Sequence, residues 1–509
     1  MTIGALLTWD DGLCEESDHP GGKDTYLVGR VRGRKRARQQ VRIGAPDKSL
    51  TAVSGMAAVS ELCDRLGVIE ALDTAVGSIK VRARGHLAGA LLVGLATAQL
   101  AGQDHLVGLD RLGVDGAGQA LVPVAGLGST TAAGLARRIG VEQWAAVETG
   151  VHAVTGRMLD RLPPRRRQAL LASVTIDLDT TDVEVYGRKK RGVAYNYQGQ
   201  RCGRPHVASW AELEVALAAD LLAGDQDPRP GAPGLLRRAL AGLPAGVGGV
   251  KLRADGGYFA VDLAVAAHRE GVGFAIGAKR IAPVWQALAG ISESDWTDAI
   301  DMPGAQVAVA PYCPAWWPTS TRLLIRRVAL APEQISADPR SRRRRTLHPD
   351  QRALPLDELA GTDAVYGYSF ILTNLDVSTP DQAAAVEHWY RHRTTIENIF
   401  RDAKHGAALR HLPSGYVEVN TAWMWGALLA TSLAGWLHQL TATPDPHGPG
   451  LLGWGVREGK AMIATLRHRL ICVPARLIRH AAALILRLPP GHQLLTEVLT
   501  RLRALPAAS

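Results

Sequence analysis

The stretch "SVTIDLDTTDVEVYG", residues 173–187, constrains the fold more than any other part of the chain. β-Branched and apolar residues alternate there with polar ones, the period of two that belongs to a strand. A second stretch of the same kind, "GGVKLRADGGYF", begins at residue 248. Between the two, "AELEVALAADLLAG" and "APGLLRRALAGL" read as one or two helices, and "DLAVAAHREGVGFAIG" reads as a helix followed by a strand. Strands interleaved with helices in this way predict an α/β core.

The texture changes on either side of that core, and a chain of 509 residues is too long for a single one. Residues 29–42, "GRVRGRKRARQQVR", carry Arg or Lys at seven of fourteen positions without apolar periodicity. Residues 1–50 therefore read as a flexible basic arm that includes Arg34, Lys35 and Arg36. Residues 51–165 show 3.6-type spacing in "AVSELCDRLGVIEALDTAV", "GHLAGALLVGLATAQLAG" and "TTAAGLARRIGVEQWAAVETGVHAV", with Ser129 or Thr130 as a cap for the third. This is a helical N-terminal domain suited to DNA binding or dimerisation.

The α/β domain begins at 166 and runs to 281. Residues 282–378 bear Pro and Trp, with strands expected at "AQVAVAPY", "TRLLIRRVAL" and "VYGYSFILTNL", and read as a β-rich insertion. Residues 379–440 close the α/β domain. The remainder, 441–509, reads as helical, "VPARLIRHAAALILRLPPG" included. The apolar run "TAWMWGALLATSLAGWLHQL" (421–440) is long enough to span a bilayer. Its Thr, Ser, Gly and His residues, and the lack of flanking Lys or Arg, make it a buried helix instead.

A net charge of +10 favours an anionic partner, nucleic acid first. Five scattered cysteines with no C-x-x-C pair argue against a zinc site or a disulfide framework, and fit a reducing cytoplasm. The N-terminus is acidic ahead of its short apolar run, unlike a secretory signal. No G-x-x-x-x-G-K-[ST] loop occurs and no G-x-G-x-x-G follows a strand, which argues against a nucleotide-binding enzyme.

Three acids stand out. Thr175, Asp177 and Asp179 share one face of the first strand, and Asp255 ends the second, with Gly256 and Gly257 leaving open space beside it. In "YRHRTTIENIFRDAK" (390–404), a continuous helix places Tyr390, Arg393, Glu397 and Lys404 within about 60° of one another. Two strand aspartates and a helix glutamate are the hard ligand set for two divalent cations. Such a pair activates water or a 3′-hydroxyl in phosphodiester displacement, with the neighbouring cations gripping phosphates.

The spacing Y-x2-R-x3-E-x6-K at Tyr390, Arg393, Glu397 and Lys404 resembles the signature of DDE transposases of bacterial insertion sequences, cut-and-paste type. "DTT" at 179–181 and "ADGGYF" at 254–259 resemble the family's first and second aspartate motifs. "LPSGYVEVN" and "RLIRHAAALILRLP" look like the C-terminal part of one subgroup, so the similarity runs from about residue 50 to the end.

The resemblance implies an RNase H-like catalytic domain interrupted by a β-rich insertion, with a helical N-terminal domain and a helical C-terminal tail. It implies catalysis and metal binding by Asp179, Asp255 and Glu397 with two Mg²⁺ per site, Mn²⁺ substituting. DNA contacts fall to Tyr390, Arg393, Lys404, Arg401, Arg34, Lys35 and Arg36. The partners implied are double-stranded DNA, as transposon ends and target, and a second copy of the chain, in a bacterial cytoplasm and nucleoid without a membrane role. Cleavage at terminal repeats through hairpin ends and joining to target DNA is the implied reaction; a catalytically retired DNA-binding derivative is the alternative. Asp177 competes with Asp179 as first aspartate, the Thr after Asp179 favouring the latter, while Asp182 has the opposite parity. Trp285, Trp296, Trp316 and Trp317 are available to stack on a flipped base, and nothing in the sequence selects one.

Overall fold

A computed structural model describes residues 43–507, apart from 81–83, 339, 363, 445–450, 453–461 and 482. Arg34, Lys35 and Arg36, with nearly all of the basic arm, lie outside the described residues. The strands that matter are β1 (Val174–Thr180), β2 (Arg201–Trp210), β3 (Val215–Ala223), β4 (Val250–Ala254), β5 (Gly273–Gly277), β6 (Ala305–Ala310), β7 (Arg322–Ala329) and β8 (Tyr366–Thr373). They lie side by side in the order β3-β2-β1-β4-β5-β8-β7-β6, within a sheet of eleven strands. β4 and β5 run parallel to β1; every other pairing in this order is antiparallel. Short pieces at Val183–Glu184, Ala194–Tyr195 and Thr297–Asp298 complete it.

The principal helices are α1 (Met56–Leu66), α2 (Val68–Val76), α3 (Ala88–Leu100), α4 (Val141–Asp160), α5 (Ala232–Ala241), α6 (Val261–Arg269), α7 (Pro380–Arg391), α8 (Thr394–Arg401) and α9 (Val417–Thr441). Gly67 separates α1 from α2 at φ +59°, a left-handed turn that closes α1 through bonds from its N–H to Cys63 and Asp64. The apolar run 421–440 falls within α9, which is buried nearly all round, packs on α3 and β3, and encloses Trp423, Trp425 and Trp436. Among the described residues no helix is long and apolar enough to cross a membrane.

Three local expectations are corrected. "AELEVALAADLLAG" is not a helix but the strand β3, paired along its length with β2. Helices α4 and α9 cover β3, and α5 packs on it too, so both faces are apolar and the period of two never shows. "VPARLIRHAAALILRLPPG" is a hairpin, β9 (Ala475–His480) against β10 (Ala483–Arg487), with Ala481 at φ +52° in its turn. Ala475 and Leu477 point inward while Arg476 is exposed, and β9 also pairs with Leu50–Thr51. Neither Ser129 nor Thr130 caps its helix. Ser129 is instead the first helical residue, and Asp110 accepts its N–H at 2.8 Å. A carboxylate from an earlier helix thus does the work of a local cap. The strands expected in 282–378 are present as β6, β7 and β8, and β8 joins them directly to β5, so they lengthen the central sheet.

Candidate active site

Asp179 and Asp255 are brought together by strand register. β1 and β4 run parallel with Leu178 beside Ala254, so the next residue of each chain, Asp179 and Asp255, emerges at neighbouring carboxyl ends. Asp255 leaves its strand into a single 3₁₀ turn, and its carboxylate accepts the Gly257 N–H at 2.8 Å. Asp179 accepts the Thr180 N–H at 2.7 Å and an Arg393 N–H at 2.8 Å. Burial pushes the Asp179 carboxyl up to about 6; Arg393 opposes that rise and the charge of Asp255 adds to it. Two hard carboxylates of which one is strained by burial and by its neighbour suit a hard divalent cation.

Tyr390 and Arg393 close the site from the helical side. The Tyr390 hydroxyl donates to the Ala254 carbonyl at 3.1 Å, and burial first, then the two aspartates, pushes its pKa up to about 12 against the opposing Arg393. Burial disfavours the charge on Arg393, yet Asp179, Tyr390 and Asp255 outweigh it and hold the guanidinium above its ordinary value. Gly277, at the end of β5, leaves room for this packing. A Cβ there would stand 2.6 Å from the Gly256 nitrogen and 2.9 Å from the Tyr390 hydroxyl.

The expected single helix 390–404 is broken. α7 ends at Arg391, α8 starts at Thr394, and a π turn covers Asp402–Gly406. Arg393 caps α8 with helical dihedrals and its N–H reaches back only three residues, to Tyr390. The break lets Arg393 turn to Asp179 instead of projecting along one stripe. Glu397 consequently stands 62% exposed, with its carboxylate 3.9 Å from the other arm of Arg393. Lys404 donates to the Asp182 carbonyl at 2.7 Å, and burial lowers its pKa despite the raising effect of Asp182 and Cys202. Arg401 is exposed and bonds Asn398 at 2.7 Å. Among the described residues no three His, Cys, Asp or Glu groups stand together at metal-holding spacing.

Asp177 and Asp182 are both committed elsewhere. Asp177 is fully buried and takes Arg253 in a two-point pair at 2.7 and 2.8 Å. Arg253 also donates to the Trp389 carbonyl at 2.6 Å, and the Trp389 indole N–H donates to Thr175 at 3.1 Å, so this core network seats α7 on β1 and β4. Asp182 pairs with Arg204 at 2.7 Å and accepts from Asn196 at 2.8 Å. Sequence reasoning missed Arg253, although its opposite position to Asp177 follows once the strands are taken as parallel neighbours.

Of the four tryptophans, Trp285 packs edge-on to Phe370, Trp296 lies under the Arg327 guanidinium and Trp317 packs on Phe259 and Phe274. Trp316 is 88% exposed with φ +69°, a conformation costly for a bulky residue.

The sequence matches the family described as Transposase DDE domain, group 1, over residues 34–337 and 358–507. Among solved structures, a piggyBac transposase synaptic complex with hairpin DNA is 9% identical with a TM-score of 0.35, over 76% of this chain and 76% of that one. No curated protein matches.

Proposed function

The chain belongs to the transposase family of DDE domain group 1, and on that premise we propose that it cuts DNA at the ends of a mobile element and joins those ends to target DNA. The observation that carries the catalytic reading is the parallel register that sets Asp179 beside Asp255 at the carboxyl ends of adjacent strands, with Arg393 on both the aspartate and the glutamate. The order β3-β2-β1-β4-β5, with β4 and β5 parallel to β1, supports an RNase H-like core. Asp179, Asp255 and Glu397 would hold two Mg²⁺ ions, or Mn²⁺ in their place. When bound, these supply an activated oxygen nucleophile and steady the leaving oxygen.

The side chains around them have separate tasks. Tyr390 fixes the turn that presents Asp255 through its bond to Ala254. Arg393 balances the charge of Asp179 and has guanidinium donors left for a phosphate oxygen. Trp316 is the ring we assign to stacking on an extruded base, which would stabilise hairpin ends. The basic arm and the helical segment 51–165 supply end binding, and two copies of the chain bring two ends together.

The test is cleavage of labelled DNA carrying the element's terminal repeats, with binding followed in parallel. Asp179→Asn, Asp255→Asn and Glu397→Gln are each expected to lower cleavage by a factor of about 10³ or more while binding holds. The exposed position of Glu397, outside any three-acid cluster among the described residues, favours a second reading: a retired transposase that binds DNA only. Tight binding by the wild type with no nicks, hairpins or broken ends in Mg²⁺ or Mn²⁺ selects that reading.

A further inference from the structure

A loop leads away from the first aspartate, and its composition is unlike the rest of the surface. Past the strand piece Val183–Glu184 it reads "YGRKKRG" (186–192), with Arg188, Lys189 and Arg191 all exposed. It is built rather than slack. The Arg201 guanidinium donates to the carbonyls of Gly187 and Lys190 at 2.5 and 2.9 Å, the Arg191 N–H donates to Gly415 at 3.1 Å, and Lys190 is tied to the Leu412 carbonyl. Across it stands Arg137, at the end of the helix Ser129–Ala136. The guanidinium carbons of Arg137 and Arg191 lie 5.0 and 5.9 Å from the centroid of one ring, Tyr416.

Two features of this place need a partner. The first is charge. Two guanidinium groups converge on a single exposed ring, beside Arg188 and Lys189, and among the described residues no carboxylate pairs with any of the four. The two acids that precede the loop are engaged, Asp182 with Arg204 and Glu184 with the Tyr186 hydroxyl. The second is aromatic surface. Tyr186, Tyr195, Tyr197 and Tyr416 are 86, 67, 89 and 45% exposed, and among the described residues these are the strongly exposed tyrosines of the molecule. Tyr186 opens this loop, Tyr195 and Tyr197 follow it in the chain, and Tyr416 stands beside its Arg191. Cations interleaved with exposed flat rings match a phosphate backbone with its sugars and bases.

We infer that the loop 186–192, with Arg137 and Tyr416, is a DNA-backbone clamp that joins the helical segment to the catalytic sheet. The inference rests on the transposase reading and names where the duplex leaves the site. Arg188 lies nine residues beyond Asp179, at most roughly 30 Å by extended chain, which is less than one turn of B-DNA. The clamp therefore grips the strand bearing the scissile bond, or its complement, within the same turn as the cut. Its contacts are to phosphates, so they add affinity without sequence preference.

The experiment measures affinity of the full chain for a duplex of about 30 base pairs across roughly 50 to 300 mM salt. Each lost phosphate contact removes about 0.9 from the slope of log affinity against log salt. The triple variant Arg188→Ala, Lys189→Ala, Arg191→Ala is expected to have a slope shallower by about 2 to 3, equally on end and random sequences. A control removing three exposed arginines elsewhere, Arg237→Ala, Arg269→Ala and Arg352→Ala, keeps the wild-type slope. An unchanged slope in the loop variant, an equal change in the control, or a loss of self-association in its place would overturn the clamp. Cleavage is read separately: a wild type that never cuts removes the catalytic reading and leaves the clamp standing.

Discussion

Asp177 and Asp179 are two residues apart on one face of β1, and the difference between them lies in what reaches them from other strands. Asp177 meets Arg253 inside the core with no exposure, and breaking such a pair costs about 3–5 kcal/mol because a buried charge is left alone. Burial raises both carboxyls, so the difference lies in the partner left behind. Asp177→Asn, which leaves Arg253 buried, is expected to lower the unfolding free energy by about that much in a denaturant titration. Asp179→Asn leaves stability within about 1 kcal/mol of wild type, since Arg393 keeps Glu397 and some solvent access. Equal stabilities for the two variants would mean that the core pair is not what separates them. Gly277 makes a parallel case. Gly277→Ala forces a Cβ against the Gly256 nitrogen and the Tyr390 hydroxyl, so the turn bearing Asp255 must move. A displacement of about 1 Å at a reacting centre costs roughly 100-fold, and cleavage should fall accordingly with a smaller loss in melting temperature. Gly277→Ala cutting at the wild-type rate would refute this. Residue chemistry was legible in the sequence as far as the strand's parity and the spacing of the acids. It stopped there because Arg253 lies 76 residues beyond Asp177, and no local pattern says which of two like-facing acids it will take.

Elements were legible where polar and apolar residues alternate, as they do even in the buried part of β1, and hidden where both faces are apolar. β1, with its polar Asp179 end, was plain, while β3, covered by helices on both faces, passed for a helix. The helix 390–404 was legible as helical but not as broken, because no Gly or Pro marks the break and the Asp179 to which Arg393 turns lies 214 residues earlier. Two buried titratable groups beside β3, one on α4 and one on β2, oppose each other. Glu148 of α4 accepts the Ala219 N–H at 3.1 Å and pairs with Arg238, and burial still raises its carboxyl to about 7. Its stabilising contribution is present below pH 4.5 and lost as pH rises through 7, because the folded state holds the proton more tightly. His206 of β2, fully buried, is lowered by burial from 6.5 to about 4. Its contribution is present above pH 6.5 and lost as pH falls through 4. Between about pH 4.5 and 6.5 the two slopes offset in the wild type. Glu148→Gln should expose a stability that rises with pH across that window, and His206→Leu one that falls, each by about 2–3 kcal/mol. Denaturant titrations at three pH values check both signs, and parallel profiles for the two variants would refute the assignment.

At the scale of the molecule, sequence texture marks residues 282–378 as different, but texture carries no information on which strand a segment will pair with. The pairing decides how the protein unfolds. β8 lies on β5 through Ile371 with Gly277, Leu372 with Ile276 and Thr373 with Ala275. The Thr373 hydroxyl donates to the Phe274 carbonyl at 2.7 Å, and the Asn374 side chain accepts the Phe274 N–H at 2.6 Å, so the seam has side-chain as well as ladder bonds. A second tie is the pair of Arg326 on β7 with the fully buried Glu387 on α7, the helix that carries Tyr390. Leu324 packs with Ala275 and Ile371 from across that seam. Removing the strands 305–373 from the sheet would therefore expose the edge of β5, take Arg326 from Glu387 and leave it with Arg391 at 3.4 Å, and unseat the helix over the site. Sub-global opening of that segment alone is more costly than its own contacts imply, and it should melt with β1 in a single transition. Leu324→Ala and Leu178→Ala, both at fully buried positions, should each remove about 2–5 kcal/mol and move the same calorimetric peak. Two peaks, with Leu324→Ala shifting one and Leu178→Ala the other, would show instead that the added strands fold as a separate body and that the active site does not depend on them.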